Sequence, residues 1–365
     1  MRSRPRNGDM IFKTEWEGLL MTAQNNGMTR RSFVGLMGMA FAAAAVVPLA
    51  GCSSSDDGSS DSGSESQSHK AAMIINGPMN DGGWFAACYE AMTGAADDLG
   101  WDTAYSENVD QADYVTTMQN YVNDGFDLIL LPGQEYEDAA KQVAKDNPDA
   151  KFAVLMGTDD NLDGIEGMYY DDAQVGKLAG CLAMTLTATK NVAFIGGQEL
   201  DNTQAKLAAY KETVEKLDSD AQVMSVFVGS FSDVAKGKEA GSVFFNQQNV
   251  DVLFGDANAE ETGAIEALHE AVEADGVQRY VIGLSSDLGG ADDDTYANSI
   301  ILDHKVMFEE AMKDAASGSS FGNKAIKGDL DSGAVRMGTF SDKLVSADKQ
   351  SAFNDYVTKI QNGEI

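Results

Sequence analysis

From residue 71 to the end, short apolar runs alternate with longer stretches in which apolar residues return every three or four positions. The runs predict strands at 71–75, 127–131, 151–156, 165–170, 191–195, 222–228, 251–254, 279–284, 298–302 and 333–338. The periodic stretches predict helices at 84–99, 135–146, 173–187, 202–217, 234–248, 260–274, 305–316 and 347–361. In the first of these, Trp84, Cys88, Met92, Ala95, Ala96 and Leu99 fall on one face. Strands that alternate with helices of ten to seventeen residues imply parallel sheets covered on both faces, an α/β class. Two such series predict two doubly wound lobes, with a first crossing near Asp171. The division expected is 71–171 plus about 285–330 for one lobe, and 172–284 plus about 331–365 for the other.

The segment before residue 71 follows a different pattern. Thr29-Arg30-Arg31-Ser32-Phe33 leads into an apolar stretch rich in Ala, Gly and Met that ends in Leu49-Ala50-Gly51-Cys52. A basic segment, an apolar segment and a small-residue processing site define a secretory signal over residues 1–51. The 17 residues from 33 to 49 are short for a permanent membrane span. The paired arginines resemble a twin-arginine export signal, and the Leu-Ala-Gly-Cys run resembles a bacterial lipobox that would lipidate Cys52. The competing reading is a plain apolar anchor with an incidental cysteine. Trp16, Glu15 and Glu17 do not suit a signal's basic segment, so Met28 is an alternative start to Met1. Residues 52–70 read as a flexible tether, since 53–68 hold no apolar residue; its reach is roughly 20 Å by random-coil scaling.

Composition narrows the function. The chain has 26 Lys+Arg against 58 Asp+Glu, a net charge of −32. Residues 1–51 hold six of the basic and three of the acidic groups, so the remainder carries 20 against 55, a net of −35. Such a balance argues against a nucleic-acid role, because neutralising phosphates needs a concentrated basic face. Three cysteines at 52, 88 and 181, and three histidines (His69, His269 and His304) beyond helical reach of one another, point to no disulfide framework and no metal site. Cys88 and Cys181 fall on apolar helix faces and read as core.

The strand ends hold the candidate chemistry. Leu131 runs into Pro-Gly-Gln-Glu, Leu155 into Met-Gly-Thr-Asp, and Ile195 into Gly-Gly-Gln-Glu. Val228 runs into Gly-Ser-Phe-Ser, Phe254 into Gly-Asp-Ala-Asn, and Ile282 into Gly-Leu-Ser-Ser-Asp. A single glycine there makes a short turn; six across two lobes predict a ligand cleft at the carboxyl ends of the strands. Polar candidates at these ends are Gln134, Glu135, Gln198, Asp256 and Asn258, and Asp287 follows the next strand. Asp256 and Asp287 could accept a pair of sugar hydroxyls, or could cap the helices that follow. Asp171-Asp172 is a carboxylate pair, but adjacent side chains diverge, and no Ser-His-Asp order, phosphate loop or metal signature points to an enzyme.

Several stretches resemble the basic membrane protein family of solute-binding lipoproteins, which includes purine-nucleoside receptors of ABC transporters. They are Asn80-Asp81-Gly82-Gly83-Trp84, residues 174–183, Phe194-Ile195-Gly196-Gly197, Phe227-Val228-Gly229-Ser230-Phe231-Ser232-Asp233, residues 236–240, Val281-Ile282-Gly283 and residues 359–363. The resemblance covers 71–365 and implies a type I periplasmic-binding fold, two doubly wound parallel-sheet lobes joined by a hinge. It further implies that Trp84 and Phe231 sandwich a flat base, with Asp81, Phe85 and Asp287 close by. The alternatives are a core anchor for Trp84 and a staple before the next helix for Phe231. The chain departs from the family at Phe85, where an Asn is usual, at Ser285, where an acid is usual, and at Leu302, where a Lys is usual, followed here by Asp303 and His304. An acid usual after the first strand aligns near Ile75 or Asn76.

The function expected is capture of a small flat solute, a purine nucleoside first, at the outer face of the cell membrane. The resemblance implies an ABC permease and ATPase as partners, a lipid anchor through Cys52 and no cofactor. A tethered sensor of the same fold, or a carrier of another sugar, base or heterocycle, is the alternative.

Overall fold

A computed structural model describes residues 68–80, 84–156, 165–287, 294–317, 321–322 and 325–365, all within one compact unit, Glu65–Ile365. The signal, the lipidation site Cys52 and nearly all of the tether lie outside the described residues, as does Asp81.

The first sheet is built from β1 (Lys70–Ile74), β2 (Asp102–Ser106), β3 (Leu128–Leu131), β4 (Phe152–Leu155), β5 (Ile165–Tyr170) and β11 (Ile326–Gly328), in the order β11-β5-β4-β3-β1-β2. All its pairings are parallel. Its inner strands β1, β3 and β4 are buried on both sides, so their residues divide between two cores. Ala72, Ile74, Ile129, Leu131, Phe152 and Val154 meet α2 (Tyr114–Asn123) and α3 (Glu137–Asp146). Ala71, Met73, Leu128, Leu130, Ala153 and Leu155 meet α1 (Trp84–Leu99) and α8 (His304–Ser317). This period-two split is what near-continuous apolar strands require.

The second sheet holds β6 (Asn191–Gly196), β7 (Gln222–Phe227), β8 (Val252–Asp256), β9 (Tyr280–Ser285), β10 (Tyr296–Leu302) and β12 (Val335–Met337), in the order β12-β10-β9-β8-β6-β7. Only β12 runs antiparallel. Ala193, Ile195, Leu253 and Val281 pack with α6 (Val234–Gln247) and α7 (Ala259–Asp275). Val192, Phe194, Val252, Phe254 and Ile282 face the side covered by α4 (Asp172–Leu186), α5 (Asp201–Leu217) and α9 (Ala347–Gln361). Cys88 and Cys181 are both fully buried.

In each sheet the order reverses once, between β1 and β3 and between β6 and β8, which opens a crevice at their carboxyl ends. Three segments cross between the sheets, all from those ends. Asp171 joins β5 to α4, Asp303 joins β10 to α8, and 329–334 joins β11 to β12. They are bonded to one another: Asp171 N–H donates to Gly328 C=O, Asp303 N–H to Ala334 C=O, and Leu330 N–H to the Gln174 side chain. Lys327 bridges Asp171 at 2.7 Å and Asp329 at 3.6 Å, and Arg336 reaches Asp303 at 3.2 Å.

Sheet membership differs from the expected division in one place. The boundary expected near 285 falls instead at Asp303, because β10 pairs along its length with β9 and the chain returns to the first lobe only with α8 and β11. Three elements were not anticipated: β2, α2 and the three-residue strand β11. Strand β2, Asp-Thr-Ala-Tyr-Ser, is an edge strand without a fully buried residue, and α2 buries only Tyr114 and Met118. Neither needs the apolar run or stripe by which the other elements announce themselves.

Candidate functional site

In the first lobe Trp84 opens α1 and reaches across to the end of β3, where its indole N–H donates to the Pro132 carbonyl at 2.7 Å. The ring is half-buried. Its other neighbour is the His304 imidazole, edge to face at 4.8 Å between centroids and 70° between planes. Phe85 folds over Gly77, 2.7 Å from where a Cβ would stand, so only glycine admits the ring there. Gln134 and Glu135 follow β3 and are exposed; the Glu135 carboxylate accepts from the Asn76 amide at 3.4 Å.

The second lobe mirrors this arrangement. Phe231, in the loop between β7 and α6, lays its half-buried ring against Gly197, at 2.3 Å from the place of a Cβ. Gly197 in turn donates its N–H to the Asp256 carbonyl at 3.0 Å, so the ring lies directly over the β6–β8 crevice. Gln198 beside it is exposed. Asn258 is exposed and sits at φ 55° and ψ −115° ahead of α7, with no side-chain cap bond. Two other non-glycine residues with positive φ end strands of this rim, Met156 at 62° after β4 and Ser285 at 71° in β9. Strained backbone of this kind gathers where a loop must hold a set shape.

The two carboxylates expected as neighbours behave differently from each other. Asp287 is exposed, and its oxygens accept the Thr339 N–H at 2.9 Å and the Thr339 hydroxyl at 2.8 Å, tying the end of β9 to the chain after β12. Asp256 faces inward to Lys206, 3.0 Å away, and the same ammonium is 2.8 Å from Asp172. Asp256 does not cap the helix that follows it: the cap position of α7 is Asn258. The adjacent acids do diverge, Asp171 toward Lys327 and Asp172 toward Lys206.

Lys206, only 2% exposed, was not foreseen. A lysine out of water is stable only with its charge matched. Burial alone would lower its pKa; Asp256 and Asp172 together hold it above the ordinary value. Asp172 is raised by burial, against the pull of Lys206. Close by, the Glu261 side chain covers Gly255, and burial followed by the Asp256 charge pushes its carboxyl up to about 8. A signal for Lys206 did exist in the sequence. It shares one face of α5 with Thr203, Leu207, Tyr210 and Val214, at the spacing of a buried stripe. The pair Tyr170 and His304, hydroxyl to Nδ1 at 2.6 Å and both buried, gave no such signal.

The arrangement is a rim of acceptors and two half-open rings, one per lobe, at the carboxyl ends of both sheets. It suits binding of a flat solute with donor groups, and among the described residues no cluster of His, Cys, Asp and Glu could hold a metal ion.

Comparison with known proteins agrees with this architecture. The chain is 26% identical over 354 residues to the CD4+ T-cell-stimulating antigen of Listeria monocytogenes, covering 93% of this chain and 98% of that protein. It is 30% identical to the ABC transporter nucleoside-binding protein BmpA of Lactococcus lactis, over 68% of this chain and 72% of that one. Among solved structures, an ABC solute-binding protein from Aeropyrum pernix superposes with a TM-score of 0.66 at 20% identity, covering 81% and 92% of the two chains. A protein from Bacillus halodurans described as a transcriptional activator superposes at 0.68 with 18% identity, 81% and 98% covered, so the fold by itself serves more than one role. The family model for ABC transporter substrate-binding proteins of the PnrA-like, or Bmp, type matches residues 68–365, and the chain belongs to that family of solute-binding proteins.

Proposed function

We propose that this protein captures a purine nucleoside between Trp84 and Phe231 and hands it to an ABC permease driven by its ATPase. The observation that supports this most is the placement of one half-buried aromatic ring at the order reversal of each sheet, Trp84 tied to Pro132 and Phe231 lying on Gly197. Rings contributed by different lobes close on a flat heterocycle as the lobes rotate. Asp287, Gln198, Gln134 and Asn258, all exposed on the rim, supply polar groups for the sugar, with Asp256 behind them; Phe85 belongs to the first-lobe wall. The name of the Lactococcus relative supports a nucleoside over a sugar or amino acid. In this reading the protein is held outside the cell membrane by a lipid on Cys52 and a tether. No helix among the described residues is long and apolar enough to cross a membrane.

The test is a thermal-shift panel of purine and pyrimidine nucleosides, free bases, sugars and amino acids. At a hundred times its dissociation constant a ligand adds about 2.7 kcal/mol, a rise of several degrees. A purine nucleoside should stabilise the protein, and Trp84→Ala and Phe231→Ala should each remove the effect. Stabilisation by another class alone, or by nucleosides in both variants, would refute the assignment.

A further inference from the structure

Trp84 is not anchored by its own lobe's sheet alone. Its indole N–H is fixed to Pro132, and the ring edge meets His304, the first residue of α8. His304 follows the crossing residue Asp303 directly. Tyr170, the last residue of β5, directly precedes the crossing residue Asp171. The two side chains meet at 2.6 Å, with Tyr170 2% and His304 6% exposed. Two of the three crossing segments are therefore joined by one buried hydrogen bond, and that bond lies behind the ring expected to touch solute.

We propose that His304 and Tyr170 are positioning residues, which orient Trp84 for stacking and tie occupancy of the cleft to the first two crossing segments. The proposal rests on the reading above, in which Trp84 stacks on the solute. A ring held by a single hydrogen bond can still swing about it. The edge contact to His304 removes that freedom before solute arrives, and aromatic contacts of this geometry are strong enough to do so. The imidazole suits the task because it stays neutral. Burial lowers it to about 4, against the weaker upward pull of Asp303, and burial with Cys88 and Asp303 raises the Tyr170 hydroxyl. The hydroxyl can then donate to Nδ1 with no charge placed beneath the cleft. When the lobes rotate about Asp171 and Asp303, this bond stays on the first-lobe side of both pivots and fixes them relative to each other. A solute pressing Trp84 onto His304 holds the bond, and with it the two segments, in one arrangement.

The experiment uses the full chain with Trp16→Phe and Trp101→Phe, which leaves Trp84 as the only indole. Three further variants are compared on that background: Trp84→Ala, His304→Gln and Tyr170→Phe. Near-ultraviolet circular dichroism reads the fixed orientation of Trp84 without solute, and adenosine and guanosine serve as binding probes, with dissociation rates measured by stopped flow. His304→Gln keeps a hydrogen-bonding group for Tyr170 but no ring. It should diminish the Trp84 dichroism and weaken nucleoside binding about tenfold, mainly through faster dissociation. Tyr170→Phe should give a smaller change in the same sense. If Trp84→Ala abolishes binding while His304→Gln and Tyr170→Phe keep parental affinity and dichroism, the positioning proposal fails and the stacking reading stands. If Trp84→Ala binds as the parent does, the stacking reading fails and takes the tie to occupancy with it. Should His304→Gln not fold, Tyr170→Phe, which deletes one oxygen, decides the same comparison: unchanged dichroism and dissociation rate overturn the proposal.

Discussion

His304 and Glu261 are ionisable groups whose surroundings oppose their charged forms, and they act at opposite ends of the pH range. His304 titrates at about 4, lowered chiefly by burial and partly restored by Asp303, with Tyr170 bonded to it and Cys88 facing Tyr170. Its ordinary value is 6.5. Between pH 6.5 and about 4 the unfolded chain holds a proton that the folded one does not, so stability falls as pH drops through that window, by roughly 3 kcal/mol in all. Glu261 is raised from 4.5 to about 8, first by burial and then by Asp256. The stability linked to it is complete below pH 4.5 and is lost as pH rises through 8. Urea unfolding at several pH values should therefore show His304→Gln flattening the acid limb and Glu261→Gln flattening the alkaline limb. Parallel pH profiles for parent and variants would rule this out. The two rings proposed to stack on the solute each stand in a motif of neighbouring residues, Asn-Asp-Gly-Gly-Trp and Gly-Ser-Phe-Ser-Asp, and so could be named from the sequence. Lys206 with Asp256, and Tyr170 with His304, join positions 50 and 134 residues apart, which no local spacing announces.

Helices α6 and α7 touch through glycine rather than through long side chains. A Cβ on Gly237 would stand 1.8 Å from the Glu260 carbonyl, and one on Gly263 would stand 2.0 Å from the Val234 carbonyl. The close approach lets the Glu260 carboxylate accept the Asp233 N–H at 2.8 Å, which braces the loop that presents Phe231. In an exposed helix Gly→Ala would gain up to about 1 kcal/mol. Here Gly237→Ala should instead cost about 1–3 kcal/mol by overpacking and weaken nucleoside binding, because the Phe231 loop moves with the pair. Calorimetry and a binding titration on that variant check both halves; a more stable variant of unchanged affinity would contradict the bracing role. Element prediction succeeded where burial is two-sided, as in β3 and β4, whose every residue is buried. It failed at β2 and α2, which meet water on their outer faces, and at the three-residue strand β11, Ile-Lys-Gly, too short to show any period.

The hinge is stitched by cations that each hold acids close to a crossing segment: Lys327 on Asp171 and Asp329, Arg336 on Asp303. Both side chains are about half exposed, so their pairs add little to stability, within about 1 kcal/mol each. Their effect lies in keeping three strands in step. Lys327→Met with Arg336→Met should leave the melting temperature within a few degrees and broaden the size distribution of the ligand-free protein in small-angle X-ray scattering. Scattering curves that overlay those of the parent would show that the backbone bonds alone set the hinge. The order of lobes was readable from the two series of strands, but the return at Asp303 was not: a buried strand such as β10 has the same composition in either sheet.

The three crossings also impose a timetable on synthesis. The first lobe's β1 to β5 leave the ribosome before any of the second lobe, yet the apolar side of α1, with Met92, Ala95 and Ala96, is closed by α8, whose Phe308, Ala311 and Met312 arrive only after residue 304. Edge strand β11 comes later still. Until then the nascent first lobe shows an apolar surface and an unpaired strand edge at β5, the hazards that holding chaperones cover. A fragment ending at Asp171 would keep both exposed for good.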